Sequence, residues 1–531
     1  MLNNIKSQYI LRIIFTYLRK RLNLKLIKYN KNLQVKLNIE IKDFKKYKLL
    51  KNVNLKSNLK IQDIDMKILD LRGQKLNDDK LESLNEVEFD KLECIVLNNN
   101  KITNLKLLEK YNFEKLYLDN NIITDISPLK LKTFGNLKEL YLSNNKISDI
   151  KPLEDAKFNK LEVLDLSGND IINNIQLANL NFRELKELYL SDNKIDNVDI
   201  LKDVKFEKLE KLDLSMNEII NIDSLENVNF KELRYLILNN NIISDIKPLE
   251  NVEFKKLEII NLNHNKISDI NIFENVNFQE LKELYLNANN ITDINVLKNV
   301  KFEKLENLDL GFNKISDINI LKKVNFKELK ILNLNGNNKI SDIKVLEKVN
   351  FKKLENLDLG FNQISDINIL QIVNFKKLKK LKLFKNTKIS NIKILEKVKF
   401  EQLETLNLGF IKISDINILA NVNFKELKEL DLYCNNISNI EVLQKVKFEK
   451  LEILDLGNNL ITDIDILENV NFKELKELYL RNNKISDIKV LEKVKFDKLE
   501  ILDLSKNEIN KFDNSIIEIN LKSKIKNLYI I

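Results

Sequence analysis

Along most of the chain, apolar residues return in the fixed order L-x-x-L-x-L-x-x-N almost every 24 residues. The first leucines of the regular run are Leu137, Leu161, Leu185, Leu209, Leu233, Leu257, Leu281, Leu305 and Leu329. Two single-residue insertions, Asn338 and Thr387, shift the series to Leu354, Leu378, Leu403, Leu427, Leu451, Leu475 and Leu499. Less regular coils begin at Met66, Leu92 and Phe113, which makes nineteen, and Ile525-x-x-Leu528-x-Ile530 reads as a truncated last strand.

Each coil's middle, such as Leu188-Tyr189-Leu190, alternates apolar and polar residues, the period of a half-buried strand. One short strand per coil leaves no room for a return strand, so successive strands must stack in parallel. At about 4.8 Å per step they predict a curved ribbon about 90 Å long. The Asn that follows, as in Asn145, Asn169, Asn193, Asn217, Asn241, Asn265 and Asn289, can both donate and accept. It suits a buried turn, where a chain leaving a strand must satisfy its own backbone groups and those of the next coil.

The return half reads I-S/T-D-I-x-x-L-x-x-V-x-F, as in Ile267-Ser268-Asp269-Ile270 through Val276-x-Phe278. Ser/Thr-Asp ahead of apolar residues at i and i+3 signals a short helical turn on the outer side. Pro128, Pro152 and Pro248 all fall three residues after that Asp, where a first helical turn has no N–H partner to lose. Phe89, Phe158, Phe182, Phe206, Phe230 and their equivalents to Phe496 supply one outer-core ring per coil and are assigned no ligand. The expected fold is an α/β solenoid over residues 61–531, of about nineteen coils, with a curved parallel sheet on the concave side and short helices or turns on the convex side. Residues 1–60 form a separate, small helical segment.

L-x-x-L-x-L-x-x-N resembles the leucine-rich-repeat family, and Asn121-Ile122-Ile123-Thr124-Asp125-Ile126-Ser127-Pro128-Leu129 is similar to bacterial internalin repeats and to the SDS22-type class. The resemblance covers residues 66–530. It implies a horseshoe whose concave face binds a protein partner, and the SDS22-type likeness adds a phosphatase-regulatory role as an alternative. Against the internalin pattern, each unit is two residues longer, and no export signal or wall-anchoring tail is expected.

Coils alternate between N-F-K-E-L-K-E-L-Y-L and K-F-E-K-L-E-x-L-D-L forms, a 48-residue super-repeat. Beside the first Leu this sets Lys138, Glu162, Lys186, Glu210, Arg234, Glu258 and so on to Glu500, so neighbouring strands meet with opposite charges. Between the strand leucines, Tyr141, Tyr189 and Tyr285 stand among Asp residues on the outward row, a plausible recognition surface. Regularity breaks between the coils at Leu305 and Leu427. There Phe312, Phe361, Phe384, Phe410 and Tyr433 follow the strand where other coils carry Ser, Asn or Gly, and Ile411 replaces the turn Asn. Large exposed apolar groups call for a reason, and this stretch is the expected contact patch.

Composition changes the picture at the N-terminus. The chain has 88 Lys/Arg and 79 Asp/Glu, net +9, yet residues 1–60 hold 16 basic residues against Glu40 and Asp43 alone. The remainder is therefore mildly acidic. Because Lys, Asn and Ile are enriched throughout, the basic head is not read as a nucleic-acid site. Its Ile10-Leu11-x-x-Ile14-Phe15-x-Tyr17-Leu18 spacing is helical and resembles the F-box core that docks on a SKP1-type adaptor. That implies an alternative role as substrate receptor of a ubiquitin ligase, with Ile10, Leu11, Ile14, Phe15 and Leu18 at the adaptor. The missing Leu-Pro start, the absence of Trp and the basic run Arg19-Lys20-Arg21 depart from that family. A cap over the apolar end of the solenoid accounts for the segment equally well.

Cys94 and Cys434 show no framework spacing, and the apolar run 9–18 is too short to span a bilayer, so a cytoplasmic protein with free thiols and no membrane span is expected. His264 is the single histidine, and no GxxxxGK[ST], GxGxxG or CxxC is present. No catalytic residue, metal ligand or cofactor is assigned, and the expected function is a non-enzymatic interaction scaffold.

Overall fold

In a computed structural model of the chain the described residues are 67–82, 92–172, 180, 182–201 and 204–530. The basic segment 1–60, including Ile10, Leu11, Ile14, Phe15 and Leu18, lies outside them, as do Met66 and Phe89. The chain divides into two compact units, the first made of residues up to 195 with 200–209, the second of 196–199 with 210–531.

The first unit carries six three-residue strands among its described residues. They are Ile68–Asp70, Cys94–Val96, Lys115–Tyr117, Glu139–Tyr141, Val163–Asp165 and Glu187–Tyr189, each parallel to the next. The second carries fourteen, from Lys211–Asp213 to Asn527–Tyr529, again all parallel. The register stacks leucine on leucine, with Leu284 opposite Leu308 and Leu308 opposite Leu332. The fragment at 525–530 does form a last strand, since Leu528 pairs with Leu502.

Each coil buries a repeating set. In one, Leu281, Leu284, Leu286, Ile291, Ile294, Leu297 and Phe302 are all buried, and truncating any such leucine costs about 2–5 kcal/mol. The outer-core rings stack between coils, with centroids 6.2 Å apart for Phe182–Phe206 and 6.3 Å for Phe230–Phe254. Phe496, in the last full coil, is only half-buried.

The recurring Asn works as its chemistry requires, although the second coil it serves is the preceding one. Asn289 donates to the Leu286 carbonyl of its own coil (3.1 Å) and the Leu262 carbonyl of the coil before (2.9 Å), and its Oδ1 accepts the Ile267 N–H (3.0 Å). Without it the buried Ile267 N–H would go unmet, and the Leu286 and Leu262 carbonyls would each keep only the neighbouring ladder Asn, Asn313 and Asn265. At Ile411 the ladder is interrupted. Ile411 is buried, and the Ile389 N–H, which would have met an Asn side chain there, bonds the Asn386 carbonyl of its own coil instead (3.0 Å).

The outer turns are 3₁₀ helices of three to five residues, such as Asn271–Glu274 and Asn295–Lys298. The Asp before them is not the cap residue. Ile270 holds that place without a side-chain bond, while Asp269 Oδ1 accepts from the Asn271 N–H (2.8 Å) one residue earlier, an Asx turn. The three prolines open these turns, as at Lys247–Glu250. In the final coil a true α-helix, Lys511–Lys524, takes the turn's place, with Ile517 and Leu521 buried.

Candidate functional site

One residue before the ladder Asn, every regular coil enters the left-handed backbone region. Asn144 (φ 53°), Gly168 (62°), Asp192 (53°), Asn240 (55°), Gly336 (66°) and Asn458 (55°) tolerate it. Phe312 (49°), Phe361 (50°) and Phe410 (56°) occupy the same position in three coils of the second unit. A bulky side chain there costs about 1–2 kcal/mol and persists only where the surroundings hold it. Phe384 and Tyr433 come from the preceding register, directly after the last strand leucine, where Gly311, Gly360, Gly409 and Gly457 stand in alternate coils.

The two registers interlock. Phe361 meets Phe384 edge-on with centroids 4.7 Å apart, and Phe312 lies 6.0 Å from Phe361. Phe410 meets Tyr433 edge-on at 5.3 Å. Glycine makes this possible. A Cβ on Gly360 would collide with the Cδ1–Cε1 edge of the Phe384 ring, and one on Gly336 would stand 2.6 Å from Phe312 Cδ1. Cations face both groups, with Lys385 Nζ 4.3 Å from the Phe361 centroid and the Arg481 guanidinium 5.0 Å from that of Tyr433. Phe312 and Phe410 remain 48% and 38% exposed, while Phe361, Phe384 and Tyr433 are half-buried. The five aromatics thus form two clusters, and among the described residues no ring pair joins Phe384 to Phe410.

The sequence-selected tyrosines sit elsewhere and are half-buried. Tyr141 and Tyr189 belong to the first unit, where Tyr141 stacks on Tyr117 at 4.8 Å and burial pushes its phenol up to about 12. Tyr189 and Tyr285 each donate their hydroxyl to a glutamate two residues back, Glu187 and Glu283. In the second unit the outward strand row continues with carboxylates. Burial raises Asp309, Asp358 and Asp431 above the usual range and Asp455 to about 6. Each accepts a backbone N–H two residues on, as Asp455 does from Gly457 (2.8 Å).

Charge alternation forms two rows of ion pairs, out of step by one coil. In the row beside the first Leu, Lys282 pairs with Glu258 (2.5 Å), Lys330 with Glu306 (2.7 Å), Lys379 with Glu355 (2.7 Å) and Lys428 with Glu404 (2.8 Å). In a second row two residues earlier, Lys304 pairs with Glu280 (2.5 Å), Lys353 with Glu328, Lys450 with Glu426 (2.5 Å) and Lys498 with Glu474 (2.6 Å). Between them the rows join every consecutive pair of coils from Leu209 to Leu499 except one. At the step from Leu378 to Leu403, Lys377 stands where the row has Glu and Gln402 where it has Lys. The first row was legible in the sequence; the second carried the same signal and went unread.

Among the described residues no three His, Cys, Asp or Glu gather as a metal site, and no helix is long and apolar enough to cross a membrane. His264 is exposed at the left-handed turn position (φ 54°). What the strand-lined face and its aromatic edge offer is non-covalent contact.

The repeats match the family model described as Leucine Rich repeats (2 copies) over 183–227, 231–275, 279–372, 425–469 and 473–523, and the model Leucine rich repeat over 112–171. The chain belongs to the leucine-rich-repeat family. Among solved structures it is similar to the functional domain of InlJ from Listeria monocytogenes, at 20% identity and TM-score 0.52, covering 70% of this chain and 74% of that one. It is also similar to the plant peptide hormone receptor RGFR1 in complex with RGF2, at 17% identity and TM-score 0.50, covering 84% and 81%. An internalin, inlF, of Listeria monocytogenes matches at 25% identity and TM-score 0.46, covering 70% and 88%. No curated protein matches the chain.

Proposed function

We propose that this protein is a non-enzymatic interaction scaffold that takes a protein partner on the strand-lined face of its second unit, along the edge formed by Phe312, Phe361, Phe384, Phe410 and Tyr433. The observation that carries this reading is the placement of three phenylalanines in a left-handed position that the adjoining coils give to Ala288, Gly336, Lys385 and Cys434, and that no other coil among the described residues gives to Phe or Tyr. The fold does not need rings there, and it bears their backbone strain while leaving two of them exposed. Aromatic side chains at such a surface are the usual anchors of protein contacts. The resemblance of the repeats to those of a peptide hormone receptor fits the same class of activity. The thiols of Cys94 and Cys434 are free, in keeping with a reducing, cytoplasmic setting.

The test is affinity capture from lysate with the full chain and with the double variant Phe361→Asn, Phe410→Asn. Loss of the captured protein with an unchanged circular dichroism spectrum is expected. Equal capture by both would remove the aromatic edge from the interface.

A second reading rests on the helical spacing of Ile10, Leu11, Ile14, Phe15 and Leu18, which suits recruitment of a SKP1-type adaptor and would make the chain a ubiquitin-ligase substrate receptor. Adaptor recovery that survives replacing those five residues with Ser would refute it. The phosphatase-regulatory alternative rests on the repeat class alone, and failure of any phosphatase to co-purify would remove it.

A further inference from the structure

Residues 376–400 hold ten lysines and one acid, Glu396, inside a solenoid whose residues 61–531 are net acidic. Compositional bias does not explain this, because the extra lysines stand at positions where sister coils carry other residues. Lys377 occupies the place of Glu280, Glu328, Glu426 and Glu474; Lys380 that of Glu283, Glu429 and Glu477; Lys382 that of Tyr285, Asp431 and Tyr479. In the second unit, sister coils in this class carry acid at the first of these positions and, apart from Tyr235 and Ile331, at the second. Reversal there removes the partner that keeps the rest of the solenoid electrically paired.

The geometry sets these cations beside the rings. Lys380 and Lys382 bracket Leu381 in a single strand, and since Leu381 is buried both side chains leave on the outward face. Lys380 is exposed and has no ion pair among the described residues, and Lys382 only approaches Asp358, at 3.9 Å. Lys385 lies over Phe361 at one side. This strand runs into Phe384, the last ring of the Phe312–Phe361–Phe384 cluster, and the next coil begins the Phe410–Tyr433 cluster, so the basic strip lies alongside both apolar ones.

We infer that this coil reads an acidic segment of a protein partner, one that places Asp or Glu side chains against Lys377, Lys380 and Lys382 and apolar or aromatic residues against the two flanking ring clusters. The inference rests on the binding reading given above and adds the chemistry of the partner. A nucleic acid also favours lysines beside rings, yet along the outward row Lys382 is flanked by Asp358 on one side and, past Asn407, by Asp431 and Asp455 on the other. A phosphate backbone running along the sheet would leave one basic coil of about 4.8 Å and meet acid at the next coil on one side and two coils on at the other. A short acidic stretch of polypeptide matches that width.

The experiment uses the folded full chain, immobilised, to select from a phage-displayed library of random dodecapeptides, with an oligo-dT strand as a competing probe. The comparison variant is Lys377→Glu, Lys380→Glu, Lys382→Tyr, each residue one that sister coils already carry at that register, so the coil is expected to fold. Peptides rich in Asp or Glu next to aromatic or branched residues should emerge, weaken with added salt, and bind the variant about tenfold less tightly. Selected peptides without acidic enrichment, or peptides held equally by the variant, overturn the inference. If such peptides are still lost on Phe361→Asn, Phe410→Asn, the binding surface stands and only the acidic class falls; if they ignore both variants, both readings fall. A library that yields nothing, or oligo-dT bound more tightly than every selected peptide, overturns it as well.

Discussion

Phe384 stands edge-on to Phe361, its ring plane at 85° and its centroid 4.7 Å away, and it occupies the volume that a side chain on Gly360 would need. The absence of a Cβ in one coil thus admits the ring of the next. Gly360→Ala should expel Phe384 and cost about 1–3 kcal/mol, read as a lower melting midpoint together with loss of partner capture. A variant that melts and binds like the parent would show the ring to be free to reorient.

The left-handed phenylalanines should trade stability for contact. Replacing Phe312, Phe361 and Phe410 together with Asn supplies the residue that Asn240, Asn458 and Asn482 already use in that conformation. Relief of about 1 kcal/mol per site offsets the lost ring packing. The triple variant should therefore melt no lower than the parent while losing its partner. A drop in midpoint would mean that the rings hold the turns together.

Asn313 and Ile411 occupy equivalent places but differ in what their removal leaves behind. Asn313→Ala strands the Ile291 N–H and takes one of two side-chain donors from each of the Leu286 and Leu310 carbonyls, an expected loss of about 2 kcal/mol, measurable by denaturant unfolding. Ile411→Asn restores a side chain able to meet the Ile389 N–H, so hydrogen bonding recovered offsets apolar surface lost. Its cost should stay below that of Asn313→Ala, and a larger cost would show that the interrupted ladder has been repacked around isoleucine.

Asp455 gives the second unit a pH dependence of definite sign. Burial raises its carboxyl to about 6 in the folded chain, above roughly 3.9 when unfolded, so the native state binds the proton more tightly. This stability is fully present below about pH 4 and is lost as pH rises through 6, up to about 3 kcal/mol for a shift of that size. Asp455→Asn keeps an oxygen for the Gly457 N–H and should raise the midpoint at pH 7 while flattening its slope between pH 4 and 7. An unchanged slope would assign the effect to other carboxylates.

The strand period, the ladder Asn and the phenylalanine core were all legible because a solenoid repeats one local solution, and Leu284, Asn289 and Phe302 each solve it once per coil. Features that depend on the backbone's hand were not. Phe312 and Phe384 look alike in a list of post-strand aromatics, yet one sits at the left-handed turn and the other one residue before it. The signal was present only in part, in Asn144, Gly168, Asp192, Asn240, Gly336, Asn458 and Asn482, and was masked by Met216, Ala288, Lys385 and Cys434 at the same position. The Ser/Thr-Asp cue marked the start of the outer turn without telling an N-cap from an Asx turn, and the structure has the latter, with Ile270 at the cap and Asp269 bonding the Asn271 N–H. The basic coil was visible only once Lys377 and Lys380 were compared with their sister positions instead of with the chain average.

The step from Leu378 to Leu403 lacks both the surface ion pair, through Lys377 and Gln402, and the buried side-chain link that Ile411 cannot make. Surface pairs alone would count for little, but a missing interior clamp at the same place concentrates the deficit. Under tension or mild heat, the second unit has a preferred line of parting, set right beside the aromatic edge. Cargo gripping both ring clusters would straddle that line and splint it, so occupancy and mechanical endurance rise together.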